Sequence, residues 1–136
     1  DLELRAALNS RRCLLESMEE SPTKLILSWH DFKDTPSAAE LTNLLQQMAG
    51  SGAHIGKIVT TAHNANDVLR VLALQEEARA AGFSLIACCM GEAGRISRLA
   101  TLYLGGYMSY ACLNEEHSAA PGQISIRSLR EMTLNL

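Results

Sequence analysis

A chain of 136 residues, 47% apolar and 20% charged, has enough material for one ordinary domain with a real core. Its net charge of −3, with acidic and basic residues interspersed, lacks the clustered basic face that nucleic-acid binding requires. No apolar run approaches the roughly 20 residues that span a bilayer, and no basic-then-apolar leader opens the chain, so no membrane partner and a cytoplasmic location are expected.

The chain opens on Asp1-Leu2-Glu3-Leu4, the end of an early strand, with no initiator methionine, and reads as a piece of something longer. Leu4 to Glu19 follows as a helix. Lys24 to Ser28 (KLILS) is a short apolar run bounded by Ser21-Pro22-Thr23 and predicts a buried strand. Ala39 to Met48 has helical spacing at Leu41, Leu44, Leu45 and Met48 and stops at Gly50-Ser51-Gly52. Ile55 to Thr60 predicts a second strand. Ala65 to Ala81 predicts a long helix with Val68, Leu69, Leu72 and Leu74 toward a core, ended by Gly82. Phe83 to Met90, apolar almost throughout, predicts a third strand. Ile96 to Leu104 is a short helix, Tyr107 to Leu113 a fourth strand, and Ser125 to Met132 a final helix.

Strands apolar on both faces, alternating with helices, imply an α/β fold with a parallel sheet covered by helices. Gly91-Glu92-Ala93-Gly94 lacks the spacing of a dinucleotide fingerprint, which disfavours a doubly wound nucleotide binder. A TIM-type (β/α)8 barrel remains. A full one needs about 250 residues, so this chain supplies only about four and a half strand–helix units, an incomplete barrel. The four cysteines, Cys13, Cys88, Cys89 and Cys112, fit no zinc or redox spacing and read as free buried thiols, with Cys88 and Cys89 on opposite faces of their strand. No His, Cys and carboxylate cluster has metal-ligand spacing, so neither metal nor cofactor is expected.

In a parallel barrel the chemistry sits at the C-terminal ends of the strands and in the loops that follow. That rule selects His30, Lys57, the stretch from Met90 to Arg98, and the loop from His117 to Gln123. Lys57 lies inside an otherwise apolar strand. Such a lysine is either neutral and nucleophilic, able to form an imine with a ketone, or an edge residue that snorkels to water. His30 is placed to move protons near neutral pH, or is a structural histidine held by Asp31. His54, His63 and His117 read as solvated or structural. Arg98 could grip a carboxylate bidentately or simply decorate a helix surface. Gln123 could hydrogen-bond a hydroxyl or carboxylate near a helix start, or serve turn and cap chemistry.

Several stretches, taken in order, resemble type I 3-dehydroquinate dehydratases: Asp1 to Leu4 (DLEL), Ser28 to Phe32 (SWHDF), Gly52 to Ile58 (GAHIGKI), Met90 to Gly94 (MGEAG) with Ile96 to Leu99 (ISRL), Gly105 to Tyr110, and Ala120 to Ile124 (APGQI). The resemblance covers almost the whole chain. It implies a lyase that converts 3-dehydroquinate to 3-dehydroshikimate through a Schiff base on Lys57, with His30 as proton shuttle. It also implies substrate contacts from Arg98 and Gln123, apolar walls at Phe32 and Met90, and an acidic residue, Glu3, that orients the polar network near Lys57. Ala119 stands where the family carries a serine, so Ser118 reaches in after a small loop shift or one substrate hydrogen bond is lost. Lys57 to Ala62 (KIVTTA) resembles plant-type members, which makes a plastid the alternative location.

The same resemblance makes these the last four to five strand–helix units of the barrel, strands 4–8, and places the carboxylate that partners the family's histidine in units this chain does not contain. An open half-barrel is expected to form a homodimer or to be completed by a missing N-terminal segment. The alternative functions are a non-catalytic domain that binds shikimate- or quinate-type acids and a lysine-imine aldolase on the same fold.

Overall fold

In a computed structural model, the structure describes residues 1–6, 8–18, 20–114, 116 and 118–135. The elements in chain order are β1 (Leu2–Glu3), α1 (Leu8–Met18), β2 (Ile26–His30), α2 (Ala38–Ala49), β3 (Ile55–Thr61), α3 (Ala65–Ala80), β4 (Ser84–Met90), α4 (Ser97–Tyr103) and α5 (Ile126–Leu134). His117, singled out in the sequence, lies outside the described residues.

The four strands form one parallel sheet in the order β1-β2-β3-β4. Each crossover carries a helix, as parallel pairing demands. The register sorts the side chains into two faces. Leu27, Trp29, Ile58, Leu85, Ala87 and Cys89 face the helices and pack against Leu41, Leu45 and Met48 of α2 and Val68, Val71, Leu74 and Ala78 of α3. On the other face Glu3, Ser28 and Lys57 align with Ile86, while His30, Val59 and Cys88 share the next rung toward the C-terminal ends. In a parallel sheet aligned residues point the same way, so this register puts the polar residues on the face the helices do not cover.

Local chemistry sets the loops that follow the strands. Asp31 accepts from the backbone N–H groups of Lys33 and Asp34, both at 2.9 Å, and turns the chain after β2. Ser37 and Glu40 close a capping box that starts α2, and Asn64 and Asp67 do the same for α3. Ser97 Oγ donates to Gly94 O at 2.6 Å and accepts from Cys89 N at 2.7 Å, which ties the start of α4 to β4. No helix among the described residues is long and apolar enough to cross a membrane.

Three expectations are corrected. Tyr107 to Leu113 is not a strand. Tyr107 N donates to Leu85 O at 2.8 Å, which begins a ladder on β4, but the chain then departs and keeps only an isolated bridge from Cys112 to Ser125. Cys112 bonds instead to the segment that leads into α5, its N–H donating to Ile124 O at 3.1 Å and its carbonyl accepting from Ile126 N at 2.8 Å, so no run of ladder bonds to β4 forms. Leu69 is exposed, and Val71 takes the core position on α3, because the buried stripe runs through Val68, Val71, Leu74, Gln75 and Ala78. Cys13 is exposed on α1, while Cys88, Cys89 and Cys112 are buried free thiols. α1 begins at Leu8 rather than Leu4, and the remaining bounds shift by a residue or two; β2 runs on to include His30 itself.

Candidate active site

At the C-terminal ends of the strands the uncovered face holds a cavity of about 230 Å³. Its walls bring together His30, Phe32, Lys57, Met90, Arg98 and Gln123, residues contributed by four different segments of sequence. Val59, Cys88 and Met90 are buried and form an apolar cluster with Ala120. The mouth has room for a small acid rather than a drug-sized ligand, whose pockets usually run about 300–1,000 Å³.

Lys57 is largely buried, with a side-chain exposure of 15%. Its Nζ donates to Asp1 Oδ2 at 3.0 Å and lies 4.9 Å from the centre of the Tyr110 ring. The amine is therefore neither snorkelling at an edge nor bare. It is directed into the cavity with a carboxylate and an aromatic face beside it. Asp1 and Tyr110 escaped the sequence reading. Asp1 carried a signal, since it stands two residues before Glu3 in an extended chain and so shares its face. Tyr110 carried none, because it sits in a segment whose strand did not form.

His30 Nδ1 meets Glu3 Oε1, and its ring stacks on Phe32 with centroids 5.7 Å apart. Asp31 shapes its own loop and does not hold the imidazole. With Nδ1 engaged by Glu3, the nitrogen left for a ligand is Nε2. Glu3 also accepts from Ser28 Oγ at 3.3 Å. Glu3 thus serves His30, and the acid at Lys57 is Asp1. A carboxylate partner for the histidine lies within this chain, although the family resemblance places one in units outside it. Phe32 is exposed over most of its surface while its ring covers the imidazole.

Arg98 is 3% exposed, far from a surface helix residue. Its Nε donates to Gly122 O at 3.1 Å, and its Nη1 lies 4.0 Å from Cys88 Sγ. Gly91 N donates to Pro121 O at 3.3 Å. The Ala-Pro-Gly-Gln loop is thereby fastened to both the end of β4 and the guanidinium. Gly122 has φ +77°, and a Cβ there would meet Gly91 O at 2.4 Å, so only glycine permits this approach. Gln123 Oε1 accepts from Ala119 N at 2.8 Å and from Ser118 Oγ at 3.3 Å. Ser118 Oγ also lies 2.7 Å from Ala120 O, so its hydroxyl is used within the loop, and Ala119 rather than Ser118 lines the cavity.

Burial pushes the Cys88 thiol up, against the pull of the neighbouring Arg98 and Lys57 cations, and pushes Cys89 up to about 11. Both are protonated, weakly nucleophilic thiols at neutral pH. Among the described residues no group of three or more His, Cys, Asp and Glu could hold a metal ion. A larger groove of about 550 Å³ lies between α3 and α4, but the charged side chains that line it, Glu76 and Arg79, pair with each other.

His54 Nδ1 accepts from Leu25 N at 3.0 Å, a structural contact. His63 Nε2 donates to Lys33 O at 2.7 Å and lies 3.2 Å from Asp34 Oδ1, joining the loops after β2 and β3. The bond to the Lys33 carbonyl, aided by Asp34, raises its pKa above the usual 6.5. A histidine raised on folding contributes stability that is full below its unfolded pKa and is lost as pH rises through its folded one. An NMR titration of the His63 ring is expected to show a midpoint above 6.5. In Asp34→Asn the midpoint falls only part of the way back, because the carbonyl bond is the larger cause.

The family model described as type I 3-dehydroquinase matches residues 1–135. This chain belongs to that family. The 3-dehydroquinate dehydratase of Desulfotalea psychrophila is 49% identical over 130 residues, covering 96% of this chain and 58% of that protein. The crystal structure of the Geobacillus kaustophilus 3-dehydroquinate dehydratase superposes with a TM-score of 0.90 at 34% identity, over 100% of this chain and 52% of that one. The type I 3-dehydroquinate dehydratase of Clostridium difficile, solved with covalent modified comenic acid, gives a TM-score of 0.87 at 29% identity, over 99% of this chain and 53% of that one. The chain therefore spans about half the length of the relatives it matches. Its sheet is a partial barrel, as the strand pattern implied.

Proposed function

We propose that the protein is a 3-dehydroquinate dehydratase that works through a Schiff base on Lys57. The observation that carries this reading is a lysine amine inside a largely apolar cavity, one strand away from a histidine whose Nδ1 is held by a carboxylate. In this reading the Lys57 amine adds to the substrate's ketone carbon, and loss of water gives an iminium. The iminium withdraws electrons and makes the neighbouring C–H acidic. His30 Nε2 takes that proton and leaves an enamine. The enamine's electron pair expels the adjacent hydroxyl, which leaves as water with the proton returned by His30. Hydrolysis of the iminium then releases 3-dehydroshikimate and the free amine. The product belongs to the shikimate route to aromatic amino acids.

The buried Arg98 guanidinium and the Gln123 side chain at the mouth would hold the carboxylate and hydroxyls of the substrate. Phe32, Met90 and Cys88 would exclude water around the imine, which strengthens the electrostatic interactions inside. Ala119 would leave one hydroxyl unserved unless Ser118 turns inward from its contacts with the loop. The open inner face would be covered by the remaining strands of a family-length barrel or by a second copy of the chain, and the cytoplasmic placement goes with this reading.

The test is turnover. Full-length protein mixed with 3-dehydroquinate is expected to generate the conjugated enone of the product, followed by ultraviolet absorbance, with matching loss of water by mass. Saturable binding of quinate with no enone formed by folded protein would overturn the reading in favour of a domain that senses such acids.

A further inference from the structure

The nitrogen of Lys57 has two neighbours, Asp1 and Tyr110, to which the sequence reading assigned no role. Asp1 reaches it from just before β1, across β2, and Tyr110 approaches from the segment after α4. The register explains how Asp1 can reach so far. Between Glu3 and Lys57 the intervening rung is Ser28, whose side chain is short and buried. A larger residue there would fill the space between the two strands. The carboxylate and the ring then lie within ordinary ion-pair and cation–π range, the latter extending to about 6 Å.

We propose that Asp1 and Tyr110 are positioning residues that hold the Lys57 nitrogen as a cation, first as the ammonium and then as the iminium of the covalent intermediate. The inference rests on the Schiff-base reading above. Imine formation starts when the ammonium gives up a proton. The amine's electron pair then forms the C–N bond, and the C=O π pair moves to oxygen. The oxygen collects one proton from the nitrogen and one from a general acid and leaves as water. The nitrogen retains a single N–H and a positive charge. That N–H can still donate to Asp1 Oδ2, and the charge can still face the Tyr110 ring. Asp1 and Tyr110 thus oppose the first proton loss but stabilise the cation that draws electrons from the neighbouring C–H. A carboxylate in this position does more than dock the side chain.

The experiment follows the rate of borohydride trapping of 3-dehydroquinate on Lys57 against pH, in the full-length protein and three variants. Asp1→Asn is expected to lower the maximal trapping rate roughly tenfold, the usual worth of a charge-assisted bond, and to move the profile to lower pH. Tyr110→Leu is expected to lower it about fivefold, and Tyr110→Phe, which keeps the ring, to recover most of that loss. The other ionisable groups on the cavity stay constant in every variant: Glu3 from β1, His30 from β2, Cys88 from β4 and Arg98 from α4. Circular dichroism and thermal melts confirm that each variant folds. If the parent traps at Lys57 while Asp1→Asn and Tyr110→Leu match it, the positioning role is wrong and the Schiff-base reading stands. A lowered maximum with no movement of the pH profile reduces both residues to structural supports and also overturns the inference. If the parent itself forms no adduct, the functional reading fails, and this inference with it.

Discussion

Lys57→Met is expected to abolish turnover of 3-dehydroquinate, with a fall on the order of 10⁴-fold or more. Methionine keeps the length and apolar stem of lysine but cannot form an imine. The substitution should be gentle to the fold, because β3 around Lys57 is already apolar and the cavity beside it is lined by Val59, Cys88 and Met90. Removal of the cation does leave Asp1 unpaired, but that carboxylate is partly open to water at 39% exposure. The variant is therefore expected to retain its melting temperature to within a few degrees while losing activity. Steady-state assay beside a thermal melt separates the two. Retention of more than a hundredth of the parent rate would mean that catalysis does not pass through this amine.

His30→Ala carries the second large effect. A positioned general acid–base group usually contributes about 10²–10⁴-fold, and His30 is asked to act in both the proton abstraction and the dehydration. Its placement supports this double use. Glu3 takes Nδ1, Phe32 stacks on the ring, and the ring opens onto the same cavity as Lys57. The variant keeps Lys57 and Asp1 intact, so borohydride should still trap an adduct while the enone forms 10²–10⁴ times more slowly. The split between adduct and product is the readout. If product formation in His30→Ala stays within a few-fold of the parent, another group moves the proton.

These two residues were legible in the sequence for a simple reason. A charged side chain inside an apolar strand and a histidine at a strand end are conspicuous against the periodicity around them. The strands that carry them were legible too, since Ile55 to Thr60 and Phe83 to Met90 are continuous apolar runs, and the parallel sheet they form is what those runs demand. The helix N-termini at Ser37 and Asn64 follow from local capping chemistry.

The rest depended on information that a linear pattern does not contain. Tyr107 to Leu113 has the composition of a strand, yet beyond Tyr107 the bonds of Cys112 go to the segment before α5 rather than to β4, and composition does not show which partner a segment will meet. Leu69 matches the helical period, yet the direction of the core at α3 is set by where β4 and α2 lie. Glu3 was expected to orient the polar network near Lys57; its direct partners are His30 and Ser28, because register places Glu3 beside Ser28 and one rung from His30. Asp1, by contrast, reaches across to the lysine. Which acid serves which base is a question of register, and register emerges only when the strands pair.

The central claim is that the Lys57 nitrogen becomes covalently joined to the substrate's ketone carbon. The most direct measurement is peptide mass mapping of full-length protein after borohydride reduction with 3-dehydroquinate. One reduced adduct is expected, on the peptide that contains Lys57, present in the parent and absent in Lys57→Met. An adduct on another lysine, or turnover of substrate with no adduct at any lysine, would contradict it.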